Sequence, residues 1–370
     1  MNNDMVASEN TYLGILTNSR HLRKLKQNKL SKQTLVGALK KVDIQVYFFT
    51  LKKVDFINKN ITGVFYNHKT GRWGEKKFPI PHVIYRRTAS LNKPKYSRLK
   101  KLLKDHKVKR LNYENSFNKW KVYQGLSQLE DMTPYLPVTK RYNSKVGIKK
   151  MLKNYTTVYL KAYKSARGKQ IMRVKKINSN KFEYSYYSKK LVRKNVRTYK
   201  ELFNKVDDYF YTDEILMQPG IDLLSYGNRL VDFRAEVQRN GKGNIEIIAI
   251  SARAGSESSP ITTHAFSYPY DYFFKTLMKY DEQEFSLLEK KVKEFLETTY
   301  KSIESIYGKC GEIGIDFGID QEGDIWYIEC NSMSAKVSLK KAFGDDGMRM
   351  SYVALLEYAK YIANNKGGLI

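Results

Sequence analysis

Three oxygen-bearing side chains near the C-terminal end, Asp316, Glu329 and Asn331, fall at a spacing that suits a hard divalent cation. They lie in Gly314-Ile-Asp-Phe-Gly-Ile-Asp320, Gln321-Glu-Gly-Asp324 and Ile325-Trp-Tyr-Ile-Glu-Cys-Asn331, which together read as two short strands around a turn. With a four-residue loop at 321–324, Asp320 pairs with Ile325 and Asp316 lies opposite Glu329. Period-2 alternation then puts Asp316, Glu329 and Asn331 on one face and Ile315, Phe317, Ile328 and Cys330 on the other. Two carboxylates and an amide suit Mg²⁺, which keeps waters and takes its remaining ligands from phosphate oxygens. Acidic residues on the exposed face of any hairpin would look similar, and a different loop register would separate the three. Asp316-Phe317-Gly318 also spells the DFG triplet of a protein kinase. No HRD-type catalytic loop occurs in the chain, and a helical segment precedes the triplet instead.

The elements that would hold these residues follow from periodicity. After Glu214 come Asp232 to Gln238, Ile245 to Ala252, Ile313 to Ile319 and Ile325 to Cys330, longer and more regularly alternating than the strands before them. A long amphipathic helix, about Asp281 to Tyr307, lies among them, and a last helix runs from about Gly347 to Ala363. Near the start, the apolar runs Tyr12 to Thr17 and Ile44 to Thr50 flank a helical stretch at Lys32 to Lys41, a strand, helix, strand pattern. Gly63 to Tyr66 and Val83 to Tyr85 add two strands, with Pro79 and Pro81 between them, for a small α/β domain over about residues 10–90. Lys93 to Lys109 reads as a very basic helix. Asn112 to Gln128 reads as a second, with Pro134 and Pro137 beyond it. Val138-Thr139, Val158 to Ala162, Gln170 to Val174 and Phe182 to Tyr187 read as short strands, with helices around Lys145 to Asn154 and over Lys189 to Asp208. Without a Gly/Ser linker, the domains are expected to pack directly.

Composition bounds the function. The 370 residues include 29 Tyr and 17 Phe, too many aromatics for a disordered chain of this charge. Two cysteines, Cys310 and Cys330, exclude a disulfide framework and fit a reducing compartment. No apolar run reaches the ~18–20 residues of a membrane helix and the first ten residues lack the core of a signal peptide, so a soluble, cytoplasmic protein without membrane insertion is expected. The five histidines form no ligand-spaced cluster. The formal net charge of +30 is uneven: residues 1–200 hold 48 Lys and Arg against 10 Asp and Glu, and residues 201–370 hold 19 against 27. A basic half beside a mildly acidic one suits a polyanion binder, or an enzyme that holds an anionic ligand between a basic wall and a metal-binding one.

Taken in order, GILT, FPIPHVIYRR, FNKWKVYQ, YLPVT, VYLK, MQPGIDL, VDFRAEVQ and GEIGIDFGID with WYIECNS resemble the YheC/YheD-type endospore coat-associated proteins, a branch of the ATP-grasp superfamily. The resemblance spans about Tyr12 to Ala363. It implies an α/β (α+β) chain with an N-terminal Rossmann-like pre-ATP-grasp domain over 1–112, a linker helix and ATP-grasp lid over 113–218, and an antiparallel-sheet metal and nucleotide subdomain over 219–370. It also implies ATP and Mg²⁺ as cofactors, ATP being held between lid and C-terminal sheet.

Residue by residue, the resemblance puts Asp316, Glu329 and Asn331 at the magnesium positions, in agreement with the hairpin geometry. Lys161, closing Val158-Tyr159-Leu160, matches the lysine that reaches the α- and β-phosphates. Lys119 or Lys121, in NKWKVYQ, sits where these enzymes carry their first nucleotide-contacting lysine. Gln218 occupies the hinge strand whose backbone meets the adenine edge, and Asp222 is placed for the ribose hydroxyls. Arg234 and Arg253 would point at the transferring phosphoryl group, where a fixed guanidinium stabilises developing charge. Gly168 and Lys169 fall in the phosphate loop, which departs from the family pattern. It reads Lys161-Ala-Tyr-Lys-Ser-Ala-Arg-Gly168-Lys-Gln-Ile171, with one glycine, and Lys164, Arg167 and Lys169 offer side-chain charge instead. The usual proline after the Glu-x-Asn strand is also replaced, in Asn331-Ser-Met-Ser334.

The expected activity is Mg-ATP-dependent joining of a carboxylate to an amine through an acyl phosphate, on an anionic peptide or polymer in a sporulation context. An alternative is an ATP-binding or inactive ATP-grasp protein serving as a structural spore coat-associated component, with coat components as partners. Nucleic-acid binding, suggested by basic and aromatic segments such as Lys181 to Lys200, has no recognised motif behind it.

Overall fold

Two apolar pentads, Tyr12–Leu16 (β1) and Gln45–Phe49 (β2), pair in parallel across a crossover through α1 (Ser19–Lys26) and α2 (Lys32–Lys41). The computed structural model describes residues 10–27, 32–88 (of 32 and 33 the backbone only), 91–142, 144–164, 170–188, 190–210, 214–257, 259, 262 and 266–365. β3 (Val54–Asp55), β4 (Asn60–Asn67), β5 (Arg72–Pro79), β6 (Val83–Arg86) and β7 (Lys109–Arg110) complete the first sheet. Its order is β3-β4-β2-β1-β6-β7, with β5 on β4. β1, β2, β6 and β7 run parallel, so the chain ends of β1, β2 and β6 share one edge. The strand β5 has no counterpart in the sequence reading. Its side chains are mostly exposed, so it shows no apolar alternation, and Gly71 at φ +66° supplies the turn that brings it back onto β4.

The second sheet is antiparallel, ordered β12-β11-β10-β9-β13-β8. It comprises β8 (Lys140–Arg141), β9 (Thr157–Ala162), β10 (Ile171–Asn178), β11 (Lys181–Tyr187), β12 (Leu191–Val196) and β13 (Ile215–Pro219). α5 (Lys145–Asn154) and α6 (Tyr199–Tyr209) cover one face, where Leu160, Met172, Val174, Phe182 and Leu202 form its core. The expected single helix over 189–208 is instead β12 followed by α6. Thr198 caps α6 by accepting from the Glu201 N–H, and the basic edge strand before it packs only its last residue, so its pattern passes for a helical face.

The third sheet is ordered β17-β16-β15-β18-β19, with β14 (Ser225–Tyr226) on β15. β15 (Arg229–Arg239), β16 (Ile245–Ala254), β18 (Glu312–Ile319) and β19 (Ile325–Asn331) match the alternating segments, and β17 (Phe266–Pro269) is the short edge. α3 (Lys93–Asp105) and α4 (Lys119–Leu126) precede the second sheet, α7 (Glu282–Tyr307) lies across the third, and α8 (Val337–Asn364) returns to the first. α7 opens on a capping box between Asp281 and Glu284. α8 starts ten residues earlier than its apolar spacing suggested, because Gly344 (φ +62°, ψ −146°) breaks it into two pieces whose patterns do not continue each other. Leu355, Leu356, Tyr358, Ala359 and Ile362 of its second piece join the core of the first sheet.

β15 and β18 are buried on both faces. One face packs on α7: Phe233 stacks on Phe317 (5.2 Å between centroids) and Phe274 (5.5 Å), and Phe295 lies against Phe317. The opposite face carries Arg234, Glu236, Gln238, Glu312 and Asp316, polar groups that must be paired with one another. Phe233→Ala should therefore lower unfolding free energy by ~3–5 kcal/mol, the usual cost of removing a fully buried ring, read from urea unfolding. Both cysteines are free and buried at this core.

Candidate functional site

The third sheet presents Asp316 at the centre of its polar face. Register places it beside Arg234 of β15 on one side and Glu329 of β19 on the other. The hairpin reaches this pairing by two compensating departures from the simple reading. Near the turn Ile319 pairs with Ile325, so the loop is 320–324, one residue longer than expected, and a bulge at Ile328 then restores the offset. Asp320 holds the longer turn by accepting from the N–H groups of Glu322 (3.1 Å) and Asp324 (2.8 Å) and from the indole of Trp326 (2.6 Å). Tyr327, and not Ile328, takes the core position.

Asp316 accepts a two-pronged contact from Arg234, through Nε and through Nη2 at 2.7 Å. Arg253 of β16 forks onto Asp232, its cross-strand neighbour, at 2.6 and 2.7 Å, and its Nη2 also lies 3.3 Å from Asp316. Both guanidiniums are thus held by carboxylates of the same face, which hold their charge more firmly than usual despite burial. Glu329 pairs with Lys119 at 3.1 Å. The Asn331 Nδ2 donates to Glu329 at 3.2 Å, which leaves the amide oxygen as the donor available to a cation. Burial would raise the Glu329 carboxyl, but Lys119, Arg234 and Asn331 outweigh it and hold it at about 2. It is ionised at any ordinary pH.

The second sheet supplies the facing cation. Lys161, on β9, donates to the Gln218 Oε1 of β13 at 2.7 Å, and the Gln218 Nε2 donates to the Thr139 hydroxyl at 2.8 Å. Burial depresses the Lys161 ammonium to about 8; Glu329 pulls it up and Lys119 pushes it down. Lys119 itself starts α4 behind the Asn118 cap, and its N–H donates to the Tyr163 carbonyl at the end of β9 (3.1 Å). Of the two lysines that the sequence left open, Lys119 reaches Glu329 while Lys121 is exposed on the helix. Asp222 is also exposed, beyond the end of β13, where its carbonyl accepts from the Gln321 N–H (3.2 Å). Gly168 and Lys169 lie outside the described residues.

One polar cluster beside the site left no signal in the sequence. Lys336, at φ +54° and buried, donates to Glu312 at 2.6 Å and lies 3.5 Å from Glu236, and Ser334 donates to Glu236 at 2.6 Å. Arg87, from the end of β6, donates to Glu312 (3.0 Å) and to the Ser334 carbonyl (2.9 Å). Arg87, Ser334 and Lys336 lie outside the strands and meet Glu236 of β15 and Glu312 of β18, so no one segment of the sequence carries the pattern.

The donor set fits a hard cation: two carboxylates and an amide oxygen on one sheet face, next to cations able to meet phosphate. Among the described residues, no three or more His, Cys, Asp and Glu cluster so that they could hold a metal ion.

The YheC/D like ATP-grasp family model matches residues 107–362. The endospore coat-associated protein YheD of Bacillus subtilis (strain 168) is 27% identical over 77% of this chain and 63% of its own length, so the match spans under two thirds of that relative. The endospore coat-associated protein YheC of the same organism is 22% identical, over 80% of this chain and 82% of its own. The D-Ala:D-Ser ligase VanG of Enterococcus faecalis superimposes with a TM-score of 0.53 at 13% identity, over 96% of this chain and all of that one, a likeness of fold. Among the described residues no helix is long and apolar enough to cross a membrane. The family match covers most of the chain, and the protein belongs to the YheC/D like ATP-grasp family.

Proposed function

We propose that the chain is a Mg-ATP-dependent ligase that joins a carboxylate to an amine through an acyl phosphate, on an anionic acceptor, in a spore-associated setting. The observation that carries this reading is the meeting of Asp316, Glu329 and Asn331 of one sheet with Lys119 and Lys161 at the second. In the three-part division 1–112, 113–218 and 219–370, ATP sits between the last two. Asp316, Glu329 and Asn331 hold Mg²⁺, which neutralises phosphate charge when bound. Lys119 and Arg234, now paired with carboxylates, exchange those partners for phosphate oxygens. Lys161 meets the α- and β-phosphates, Gln218 fixes Lys161 and the hinge strand, and Asp222 takes the ribose. Gly168 and Lys169, assigned to the phosphate loop from the sequence, lie outside the described residues. Arg253 stays on Asp232 and steadies Asp316 while Arg234 faces the transferring phosphoryl group.

No protein nucleophile is required. The acceptor carboxylate oxygen attacks the terminal phosphorus and ADP leaves; the amine then attacks the acyl carbon, phosphate leaves, and the amine gives up its proton. The test is ADP release with Mg-ATP and a panel of carboxylates, with hydroxylamine present to trap the acyl phosphate. Carboxylate-dependent ADP release with a trapped hydroxamate is expected.

A second reading has its own observation. Arg234, Arg253 and Lys119 already pair with Asp316, Asp232 and Glu329, so these three cations are held without any ligand. A structural spore coat-associated component could keep the fold on that network alone. Nucleotide binding without carboxylate-dependent turnover would favour it.

A further inference from the structure

We propose that Arg87 determines acceptor specificity by holding a second carboxylate of the acceptor, so that the substrate is a dicarboxylate with one carboxyl activated beside Arg234 and the other bound at Arg87. This deepens the ligase reading above and rests on it for the activated carboxyl. The backbone fixes where Arg87 stands. Its N–H donates to the Leu16 carbonyl at 2.8 Å, which joins the carboxyl ends of β6 and β1. In the order β2-β1-β6 the parallel partners of β1 lie on opposite sides of it, so the direction of winding switches at this strand. Outside the carboxyl ends of such a pair lies the crevice in which open α/β sheets take their ligands.

The guanidinium is fixed in place but only partly used. Nη1 donates to the Tyr85 hydroxyl and to Glu312 Oε1, both at 3.0 Å, and Nη2 donates to the Ser334 carbonyl at 2.9 Å. These partners are buried and are themselves held. Tyr85 donates to Glu312, and the other Glu312 oxygen accepts from Lys336 (2.6 Å) and Gln238 (3.2 Å). Of the five N–H donors of an arginine, the Nε–H and one on Nη2 thus have no acceptor among the described residues, and 30% of the side chain is exposed. Nε and Nη2 are the side of the fork that takes both oxygens of a carboxylate, as Arg234 takes Asp316 and Arg253 takes Asp232. The field around it is positive. Burial, then Arg87, then Lys24 hold the His21 imidazole below its ordinary value, and Lys24 has no ion-pair partner among the described residues.

Ser334 ties this donor to the site and keeps it apart from Arg234. Its hydroxyl accepts from Arg234 Nη1 at 3.4 Å, its carbonyl accepts from Arg87, and the residue is fully buried. One serine therefore stands between the two guanidiniums. A carboxylate on the Arg87 fork lies on the first-sheet side of that serine, and the phosphoryl-facing Arg234 lies on the other, so an acceptor that uses both needs a carboxyl at each end. A phosphate suits Arg87 less well. It carries nearly two charges, and the second would face Glu312, which already shares Nη1. A neutral amide fails for the opposite reason, because its NH₂ sets donor against donor.

The test is a ligand-observed NMR titration of the full chain with succinate, glutarate and adipate and with the half-amide of each, with and without Mg²⁺ and a non-hydrolysable ATP analogue. At least one dicarboxylate should bind the wild type about tenfold or more tighter than its half-amide. In Arg87→Gln that preference should fall below about threefold, while the affinities for the half-amide and for Mg-ATP stay within about threefold of wild type. A strut that only ties the first sheet to the third would not tell a carboxylate from an amide. Should Arg87→Gln fail to fold, Arg87→Lys keeps a charge on Glu312 without the fork and should lower the preference in the same way; the wild-type comparison needs no variant. Binding of no dicarboxylate, equal binding of dicarboxylate and half-amide, or a preference that survives the loss of Arg87 overturns the proposal. ADP release from Mg-ATP is read separately. Arg87-dependent binding without ADP release keeps this site and removes the ligase reading, whereas ADP release with monocarboxylates alone keeps the ligase reading and removes the site.

Discussion

Titration of Mg-ATP into a variant carrying Asp316→Asn and Glu329→Gln should show magnesium-dependent binding weakened by at least ~100-fold, because both anionic ligands of the proposed metal site are removed. The isosteric changes matter. Asp316 holds Arg234 and lies within reach of Arg253, and truncation to alanine would strand buried guanidiniums at a cost of ~3–5 kcal/mol, confusing binding with unfolding. Asn and Gln keep an oxygen that accepts from the same donors. The more discriminating measurement is titration of ATP with the metal chelated. If the carboxylates act only through the ion, metal-free ATP should bind the variant as well as wild type or better, since Arg234 and Lys119 lose their competing anions. Equal losses with and without magnesium would mean that the carboxylates only organise the cations. Wild type that binds no nucleotide at millimolar concentration would put the structural reading first.

That experiment was legible in the sequence because the hairpin carries its own arithmetic. Asp316 opposite Glu329 follows from alternation and loop length, although the structure reaches it with a longer loop and a bulge that cancel. Bulges leave no strong mark on the hydrophobic pattern, so this agreement owed something to compensation. The alternating strands β15, β16, β18 and β19 and the long helix α7 were readable for the same reason: each buries a regular face. Edge strands were not. β5 and β12 bury little, so their residues carry no periodic signal and the sheet neighbours alone define them. The choice between Lys119 and Lys121 likewise needed the direction of α4, which the Asn118 cap and the Tyr163 carbonyl set. The Arg87, Glu312 and Lys336 cluster lay beyond any local pattern, because residues more than 200 positions apart complete it.

Lys161 offers the second large effect, one whose sign with pH is fixed in advance. In the unliganded protein burial holds its ammonium at about 8, well below an ordinary lysine. A phosphate beside it favours the charged form. Below pH 8 the proton is already present and this group adds no pH dependence to ATP affinity. Above pH 8 binding must take up a proton, so affinity should fall by up to ~10-fold per pH unit until the higher value of the bound state is reached. Between pH 7.5 and 9.5 the wild type should weaken by ~10–30-fold, with net proton uptake visible by calorimetry in buffers of different ionisation enthalpy. Lys161→Met should bind ~100-fold more weakly at pH 7.5 and lose that slope, because no charge remains to be restored. Stability runs the other way. The unfolded lysine keeps its proton through this window while the folded one has lost it, so this group makes the free protein more stable as pH rises from about 8 towards the ordinary lysine value, where the gain levels off. A wild type whose ATP affinity and stability fell together above pH 8 would therefore be losing its fold. Affinity falling while stability holds or rises is the result that places Lys161 against phosphate.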